Sequence, residues 1–194
     1  MTSPKAKILI AASDIFAENG AGGLSVRAIS GRAGLSTIGI YNHFNGKQGI
    51  LDALYIEGFE LVMAAIDFDP EVMSPRAAVL QGLSNYIDLA AQYRGHYRLI
   101  FGRGDPAYKP SSTAIAVGEE AFNRLTDMVA RVLPDALSRR RKREAALQLW
   151  ALAHGYVSLQ DHEATDLIPM TAWRDLTMSA VTTHLDAVIE KFSD

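Results

Sequence analysis

Apolar residues recur at helical spacing along nearly the whole chain, and this pattern restricts the fold more than any other feature. Steps of three and four residues place apolar side chains on one face of an α-helix. Period-two alternation, which a half-buried strand requires, never persists, and the one candidate hairpin turn, Asn45-Gly46, has helical flanks. We therefore expect an all-α fold of about nine helices. The first helix shows the stripe clearly, at Ile8, Ala11, Ala12, Ile15 and Phe16.

The composition excludes several classes of protein. A formal net charge of -3 at pH 7 argues against a uniformly basic nucleic-acid coat protein, although a local cationic patch can still attract DNA. The chain has no cysteine and so forms no disulfide and no thiolate metal site, which suits a reducing cytoplasm. We find no signal peptide and no stretch of roughly 20 apolar residues, so we expect a cytoplasmic protein without a membrane partner.

Capping residues divide the first third of the chain into short helices. Ser3 precedes a proline at the start of the first helix, and Ser25 and Ser36 can cap the second and third helices. Gly34 can end the second helix in a left-handed conformation. Only Gly34-Leu35 then separates the second and third helices, which predicts the tight turn of a DNA-binding helix-turn-helix.

Similar signals set the other expected boundaries. Asn19-Gly20 should stop the first helix, and Asn45 with Gln48 resembles a capping box that opens the fourth. The domain boundary is placed within the fourth helix, which gives a helix-turn-helix domain over 1–55 and a helical effector-binding and dimerisation body over 56–194. We expect the fourth helix to reach about Ala65 and later helices near Pro75–Tyr93, His96–Phe101, Ser112–Leu133, Ser138–Gln160 and Thr171–Phe192.

The stretch from Asn19 to Leu51 contains no aspartate or glutamate, although acidic residues are common elsewhere in the chain. Its firm cations are Arg27, Arg32 and Lys47. The backbone N–H groups at the starts of its helices can also bind phosphate. An anionic partner is therefore expected at this segment.

The segment from Ala33 to Lys47 reads AGLSTIGIYNHFNGK. It resembles the signature of the tetracycline-repressor family of bacterial transcription regulators, which runs like Ala-Gly-(Val/Leu)-Ser-x-x-x-(Leu/Ile)-Tyr-x-His-Phe-x-x-Lys. The resemblance covers about Ala6 to Leu54 and implies a homodimer that binds a double-stranded DNA operator, with phosphates gripped by Tyr41 and Lys47. The expected DNA-contact residues are Arg27, Ser36, Thr37, Gly39, Tyr41, Asn42, His43 and Lys47.

The third helix is expected to enter the major groove, with Asn42 and Thr37 placed to read bases. Either Ile38 or Ile40 must anchor this helix, and Ile40 suits its buried side. The pair Ile38-Gly39 departs from the family pattern, which has a small residue and then threonine, serine or alanine. A glycine within a helix costs roughly 1 kcal/mol against alanine, so we expect this helix to become firm only on DNA.

In the C-terminal half, Trp150, His154 and Gly155 resemble the Trp-x-x-x-His-Gly helix of one subgroup of the family. Small residues permit close helix crossing, so we expect the last two helices to form a four-helix interface in the homodimer. The expected interface residues are Ala151, Gly155, Leu159, Leu176, Ala180, Thr183 and Ala187. The alternative is intramolecular core, which suits Trp150 and Leu152 better.

Aromatic residues of the fifth to eighth helices can line a cavity where the resemblance places a small-molecule effector. Aromatic walls with few polar groups favour an apolar or aromatic effector. The candidate ligand-binding residues are Tyr86, Tyr93, Tyr97, Phe101, Phe122, Met128, Trp150 and His154. Most such stripes are ordinary core, and a histidine like His154 is more often a satisfied buried side chain than a ligand contact.

The run from Arg139 to Arg143 is the strongest charge cluster in the chain. Cations at a helix start oppose the helix dipole, so this run does not stabilise the helix. Because the resemblance places this end of the helix away from DNA, we expect a solvated surface. Asp161-His162-Glu163 cannot converge on one ion without further ligands, so we expect no metal and no cofactor.

The sequence thus favours a ligand-responsive transcriptional repressor that binds a near-palindromic operator as a homodimer and is released by its effector. One alternative is a helical enzyme acting on a small apolar substrate. We expect that the protein is not an enzyme, because the chain lacks a Gly-x-Ser-x-Gly elbow, a glycine-rich phosphate loop and a His-Glu-x-x-His pair. Another alternative is a ligand-binding helical protein whose helix-turn-helix no longer regulates transcription.

Overall fold

A computed structural model describes residues 3–69, 72–101, 107–160 and 169–193. Over these ranges the chain is built from α-helices and contains no strand, so the expected all-α fold is confirmed. The helices are α1 (Pro4–Gly23), α2 (Val26–Ala33), α3 (Thr37–Phe44), α4 (Lys47–Ala65), α5 (Pro75–Gln92), α6 (Arg94–Phe101), α7 (Ser112–Ala130), α8 (Arg139–Leu159) and α9 (Met170–Ser193).

Two compact units make up the chain. The first unit comprises Met1–Leu61 and Gln92–Glu119, and the second comprises Val62–Ala91 and Glu120–Asp194. The first unit therefore contains the three N-terminal helices together with α6. Among the described residues, no helix is long and apolar enough to cross a membrane.

The short helices of the first unit start at the predicted caps. The Ser3 hydroxyl accepts a hydrogen bond from the Ala6 N–H at 3.2 Å. The Ser25 and Ser36 hydroxyls each accept a hydrogen bond from the N–H of the residue three positions later, at 3.1 Å. Gly34 ends α2 with φ 66°, in the left-handed region that glycine adopts without strain. Local sequence therefore sets both ends of the turn between α2 and α3.

The expected stop at Asn19-Gly20 is confirmed as a break in α1, because Gly20 leaves helical geometry with φ 62° and ψ -161°. A short helical piece follows the break to Gly23, and Leu24 after it is buried in the core. Two other predicted boundaries are wrong, the start of α4 and the end of α7. Asn45 does not open α4, because it ends α3 in a left-handed conformation with φ 56°. Gln48 instead donates its side-chain amide to the Ala107 carbonyl at 3.3 Å.

The end of α7 also differs from its prediction, since the helix stops at Ala130 and not at Leu133. The residue before a proline avoids the helical region, and Pro134 follows Leu133 directly. The backbone continues through tighter turns, with the Leu133 N–H bonded to the Ala130 carbonyl at 3.2 Å. The other predicted ends lie within two residues of the observed ones.

The first unit has a core in which α6 joins the N-terminal helices. Leu99 of α6 packs in the same buried cluster as Phe16, Ile29, Ile40 and Leu54. Because burial of one such side chain contributes about 1.5–3 kcal/mol, α6 is an integral part of this unit.

Polar contacts fasten α6 to α1 as well. The His96 ring bonds to the Ser13 hydroxyl through Nδ1 at 3.1 Å and to the Glu57 carboxylate through Nε2 at 3.0 Å. Arg98 donates to the Ala17 carbonyl at 2.9 Å. A Cβ at Gly95 would overlap the Ser13 backbone, so only glycine permits this close approach of α6 to α1.

Asp52 of α4 holds the segment that precedes α7. Its carboxylate accepts a hydrogen bond from the Tyr108 hydroxyl at 2.7 Å and another from the Ser111 N–H at 3.1 Å. Partial burial raises the pKa of Asp52, but the hydrogen bonds from Ser111 and Tyr108 together outweigh that effect and hold the pKa below its ordinary value. The carboxylate is therefore ionised at neutral pH.

In the second unit, α5, α7, α8 and α9 each bury apolar side chains. Val79, Val129, Leu149 and Val181 have no exposed surface. On its surface, exposed ion pairs join α5 to α9: Arg76 binds Asp186 at 2.8 Å, and Arg174 binds Asp88 at 3.0 Å.

Candidate nucleic-acid interface and effector region

Helices α2 and α3 form the predicted helix-turn-helix. The turn between them closes when the Leu35 N–H bonds to the Ser30 carbonyl at 3.0 Å. Ile29 of α2 and Ile40 of α3 are fully buried, so both helices are held by the core of the first unit. The arrangement leaves the opposite side of α3 in solvent.

The residues predicted to contact DNA lie on or beside this exposed side. Tyr41 is 57% exposed, and Arg27, Thr37, Asn42 and His43 are also exposed. Gly39 and Lys47 are partly buried, and Ser36 is exposed at the start of α3. The Ser36 hydroxyl oxygen accepts from Gly39, which leaves its hydrogen able to donate to a phosphate.

Two glycines build the junction that follows α3. Gly46 has φ 92°, and a Cβ there would come within 3.1 Å of the Tyr41 ring. A Cβ at Gly49 would overlap the Phe44 carbonyl oxygen, so α4 starts in direct contact with the end of α3. The position of Tyr41 beside the first turn of α4 therefore depends on glycine. Sequence reasoning did not single out Gly49, because its constraint comes from a backbone contact that no local pattern reports.

The cations of the acid-free segment differ in their surroundings. Arg32 forms a two-fold ion pair with Glu18 of α1, with both N–O distances at 2.7 Å. This hydrogen bonding raises the pKa of Arg32 and lowers that of Glu18. Arg32 therefore joins α1 to α2, whereas Arg27 is exposed on the same short helix. An absence of acids within the segment does not imply that all its cations face a ligand.

Ile38 is a residue of this surface that the sequence did not assign to it. Its side chain is 70% exposed, whereas Ile40 has no exposed surface. Ile40 is thus the anchor, and the expectation that either isoleucine could serve is resolved. The spacing of four between Ile40 and Phe44 was the sequence signal for this assignment.

In the second unit, part of the predicted effector set forms one cluster. The Trp150 indole N–H donates to the Tyr86 hydroxyl at 3.2 Å, and that hydroxyl lies 3.3 Å from His154 Nδ1. The rings of Phe122 and Trp150 have centroids 6.0 Å apart. On its other side, His154 Nε2 lies 3.2 Å from the Ser158 hydroxyl.

Burial determines the protonation of this cluster. Desolvation lowers the pKa of His154, which favours the neutral imidazole at neutral pH. Because the Tyr86 oxygen receives the Trp150 N–H, its own hydrogen can be donated to His154 Nδ1. The remaining imidazole N–H then points from Nε2 to Ser158, so the polar atoms of the cluster satisfy one another.

The other aromatic candidates belong to the first unit. Tyr97 and Phe101 have ring centroids 5.3 Å apart, and Phe101 stacks edge-on against Phe59 at 5.6 Å. Tyr93 makes an edge-on contact with His96 at 6.0 Å. Tyr93, Tyr97 and Phe101 therefore pack with α4 and α6 side chains of that unit.

A cavity of about 300 Å³ lies within the second unit. Of the predicted effector residues, Met128 alone contributes to its wall. The apolar side chains in the wall are joined by two arginines and two aspartates. The lining residues are Met63, Ile66, Asp67, Phe68, Ala78, Arg124, Asp127, Met128 and Arg131.

The predicted dimer residues lie at exposed or partly buried positions of α8 and α9. Leu159 is 50% exposed and Leu176 is 38% exposed, and a third large apolar residue, Leu147 of α8, is 49% exposed. Around Gly155 there is open space, since a Cβ would meet no atom within 4 Å. Ala151, Thr183 and Ala187 are exposed, and Gly155 and Ala180 are partly buried.

The basic run at the start of α8 is paired within the second unit. Arg139 binds Asp127 at 3.0 Å, and Arg140 and Arg141 share Glu144. The Arg143 guanidinium lies 5.5 Å from the centroid of the Phe122 ring. Among the described residues, no group of three or more histidine, aspartate and glutamate side chains could hold a metal. Asp161-His162-Glu163 lies outside the described ranges.

Comparison with known proteins gives consistent matches in both halves. Residues 8–54 match the family described as bacterial regulatory proteins, tetR family, and residues 79–182 match the tetracyclin repressor-like C-terminal domain. No curated protein matches the chain.

Solved structures match over almost the full length. A protein of unknown function from Rhodococcus sp. RHA1 is 23% identical, with a TM-score of 0.76 over 96% of each chain. A TetR family transcriptional regulator from Thermus thermophilus is 17% identical, with a TM-score of 0.72, covering 95% of this chain and 97% of that one. A TetR variant from Acinetobacter baumannii AYE in complex with minocycline is 20% identical, with a TM-score of 0.59, covering 96% and 94%. These likenesses establish a shared fold.

Proposed function

This chain belongs to the tetracycline-repressor family, and from that premise we propose that it represses transcription by binding a near-palindromic DNA operator as a homodimer. A small apolar or aromatic effector releases it. The observation that carries the proposal is the exposed side of α3, where Thr37, Tyr41 and Asn42 lie in solvent on a helix anchored by Ile40. We assign DNA binding to residues 1–55 and effector binding and dimerisation to 56–194, although α6 of the second range packs in the core of the first unit.

Helix α3 enters the major groove, which is about 12 Å wide and accepts one α-helix. Asn42 reads an adenine by donating and accepting at its major-groove edge, and Thr37 contacts a neighbouring base. The hydroxyl of Tyr41 and the ammonium group of Lys47 bind phosphates, which fix the helix in position. The N-termini of α2 and α3 add further phosphate contacts through backbone N–H groups.

The second copy of the chain pairs through α8 and α9. The exposed leucines, Leu159 and Leu176, together with the open space at Gly155, suit helix packing between two copies. Two DNA-binding domains then reach half-sites about 34–36 Å apart or at a multiple of that spacing. The protein acts where its DNA lies, in the cytoplasm.

The effector binds at the aromatic cluster of Tyr86, Phe122, Trp150 and His154. We also propose that the chain is a member of the Trp-x-x-x-His-Gly subgroup, a proposal supported by Trp150, His154 and Gly155 in the sequence of α8. An effector-induced change reaches DNA through α6, which follows α5 in the chain and is fastened to α1 by His96. A coupling free energy of about 1–3 kcal/mol changes operator affinity roughly 5- to 150-fold. The chain requires no cofactor, and we assign it no enzymatic activity.

The test begins with recovery of bound fragments from genomic DNA in the presence of competitor DNA, with and without candidate effectors. Specific fragments that are released by an effector support the proposal, whereas equal affinity for all fragments contradicts it. On a recovered fragment, Lys47→Ala should weaken binding to all sequences similarly and reduce the salt dependence by about two ions per dimer, one for each copy. Asn42→Ala should instead alter sequence preference. Lys191→Ala, a matched lysine change on α9, should do neither.

A further inference from the structure

The packing of the first unit does not explain why Ile38 is an exposed isoleucine. The buried side of α3 is complete with Ile40 and Phe44, and the Ile38 side chain remains 70% exposed. Isoleucine is also a poorer helix former than alanine, because its branched Cβ restricts the rotamers available in a helix. Neither packing nor helix propensity therefore accounts for this residue.

Gly39 is equally unexplained by the fold. It has helical backbone geometry, and a Cβ at this position would meet only the Ser36 hydroxyl, at 3.6 Å, which is an ordinary contact. Alanine would fit this position and favour the helix. What glycine provides is a surface without a side chain immediately beside Ile38, so that the α3 backbone can approach another molecule closely.

The position of Ile38 points to the base edges. It is the second residue of α3, and the N-terminal residues of a recognition helix contact the bases. Tyr41 and Asn42 follow at steps of three and four, so they share its side of the helix. Within the acid-free segment, Ile38 is thus the apolar group beside the proposed base reader Asn42.

We propose that Ile38 contacts the C5-methyl group of a thymine in each half-site and thereby determines part of the operator sequence. Thymine presents the one apolar group on a base edge in the major groove, and apolar side chains recognise it there. The stiff rotamer of isoleucine positions its methyl groups with little entropy left to lose on binding. This inference rests on the proposed function, because it requires α3 to enter the major groove of an operator.

The experiment uses synthetic duplexes of the mapped operator in which each thymine is replaced in turn by uracil, which removes the methyl group and keeps base pairing. Affinities are measured by fluorescence anisotropy for the full-length protein and for Ile38→Ala. At one position per half-site, uracil should weaken the original protein about fourfold, or about fifteenfold when both half-sites are changed. The Ile38→Ala protein should bind both duplexes equally.

Ile10→Ala is the matched control, because Ile10 is an isoleucine of the same unit that is 56% exposed on α1. This variant should keep the full response to uracil. A protein that binds its operator specifically but responds to no uracil substitution overturns the role of Ile38 and leaves the proposed function intact. An Ile38→Ala variant that retains the uracil response also overturns it. Absence of any specific operator overturns both proposals.

Discussion

The α2–α3 surface and the aromatic cluster around Trp150 use their polar groups in opposite ways. On α3, Tyr41 and Asn42 extend into solvent, where a partner can reach them. In the cluster, Tyr86 and His154 bond to each other although they stand 68 residues apart in the chain. The polar groups of the first arrangement are therefore accessible to an external partner. An effector at the second, as we propose, would have to replace internal hydrogen bonds or pack on apolar faces.

The largest effect should come from the junction that holds the α3 surface. Gly49→Ala places a Cβ on the Phe44 carbonyl oxygen, and backbone cannot move aside as a side chain can. We expect a loss of about 3 kcal/mol or more in the free energy of unfolding, measured by urea denaturation. Gly31→Ala, on an exposed position of α2 with open space around it, should leave stability equal or raise it.

If Gly49→Ala lowered the free energy of unfolding no more than Gly31→Ala, the junction between α3 and α4 would not be tightly packed. The contrast between the regions would then lose its structural basis in the first unit, because Tyr41 would no longer be fixed by the α3–α4 contact.

The second prediction compares two tyrosines directly. Tyr86→Phe removes the oxygen that accepts from Trp150 and pairs with His154, so it should destabilise the protein by about 1–3 kcal/mol in thermal or urea unfolding. Tyr41→Phe removes an exposed hydroxyl and should leave stability nearly unchanged while it weakens DNA binding. Equal stability of the two variants would contradict the internal role of the Tyr86 hydroxyl.

The same cluster should make stability depend on pH. Burial lowers the folded-state pKa of His154, so the unfolded chain binds more protons below the ordinary histidine value of about 6.5. Stability is fully present above that pH and is lost as the pH falls toward the lowered folded-state pKa. Between pH 7.5 and 5.5, the free energy of unfolding should fall more steeply for the original protein than for His154→Gln. Parallel declines would show that His154 is not the source of this pH dependence.

A smaller effect is expected at Asp52 in the first unit. Tyr108→Phe removes one hydrogen bond to the carboxylate and should cost about 1 kcal/mol. Because the folded-state pKa of Asp52 is lowered, its contribution is present above the ordinary aspartate pKa of about 4 and disappears as the pH falls through the folded value. Asp52→Asn should therefore reduce the fall in the free energy of unfolding at acidic pH. An unchanged fall would show that this carboxylate is not its cause.

The smallest effects on stability should come from exposed ion pairs, which both units contain. Arg32→Ala breaks an exposed two-fold ion pair in the first unit, and Arg76→Ala breaks one in the second. Exposed pairs gain little because water and salt screen them, so both variants should change the melting temperature less than any variant above. A large effect from one alone would reveal a contribution beyond the ion pair.

Residues whose partners lie three or four positions away were predictable from the sequence. Ser25 and Ser36 cap their helices as expected, and the spacing of Ile40 and Phe44 identified the buried side of α3. The capping box at Asn45 was wrong because the same residue had to end α3, and two adjacent helices competed for it. Local patterns do not decide such a competition.

The candidate effector residues were harder to predict, because helical spacing indicates that an aromatic residue is buried but not which core it joins. Tyr97 and Tyr86 are both buried, yet the first packs with Phe101 and the second with Trp150. The choice depends on contacts between helices far apart in the chain. The polar partners of His154 and the close approach of Gly95 to α1 are tertiary in the same sense.

A chemical footprint of the protein on its recovered operator shows most directly whether the exposed sides of two α3 helices, one from each copy, read DNA at once. We expect two protected major-groove segments whose centres lie about 34–36 Å apart or at a multiple of that distance. Asn42→Ala should lose protection at the same bases in both segments. A single protected segment, or protection spread evenly along the duplex, would contradict binding by two copies of α3.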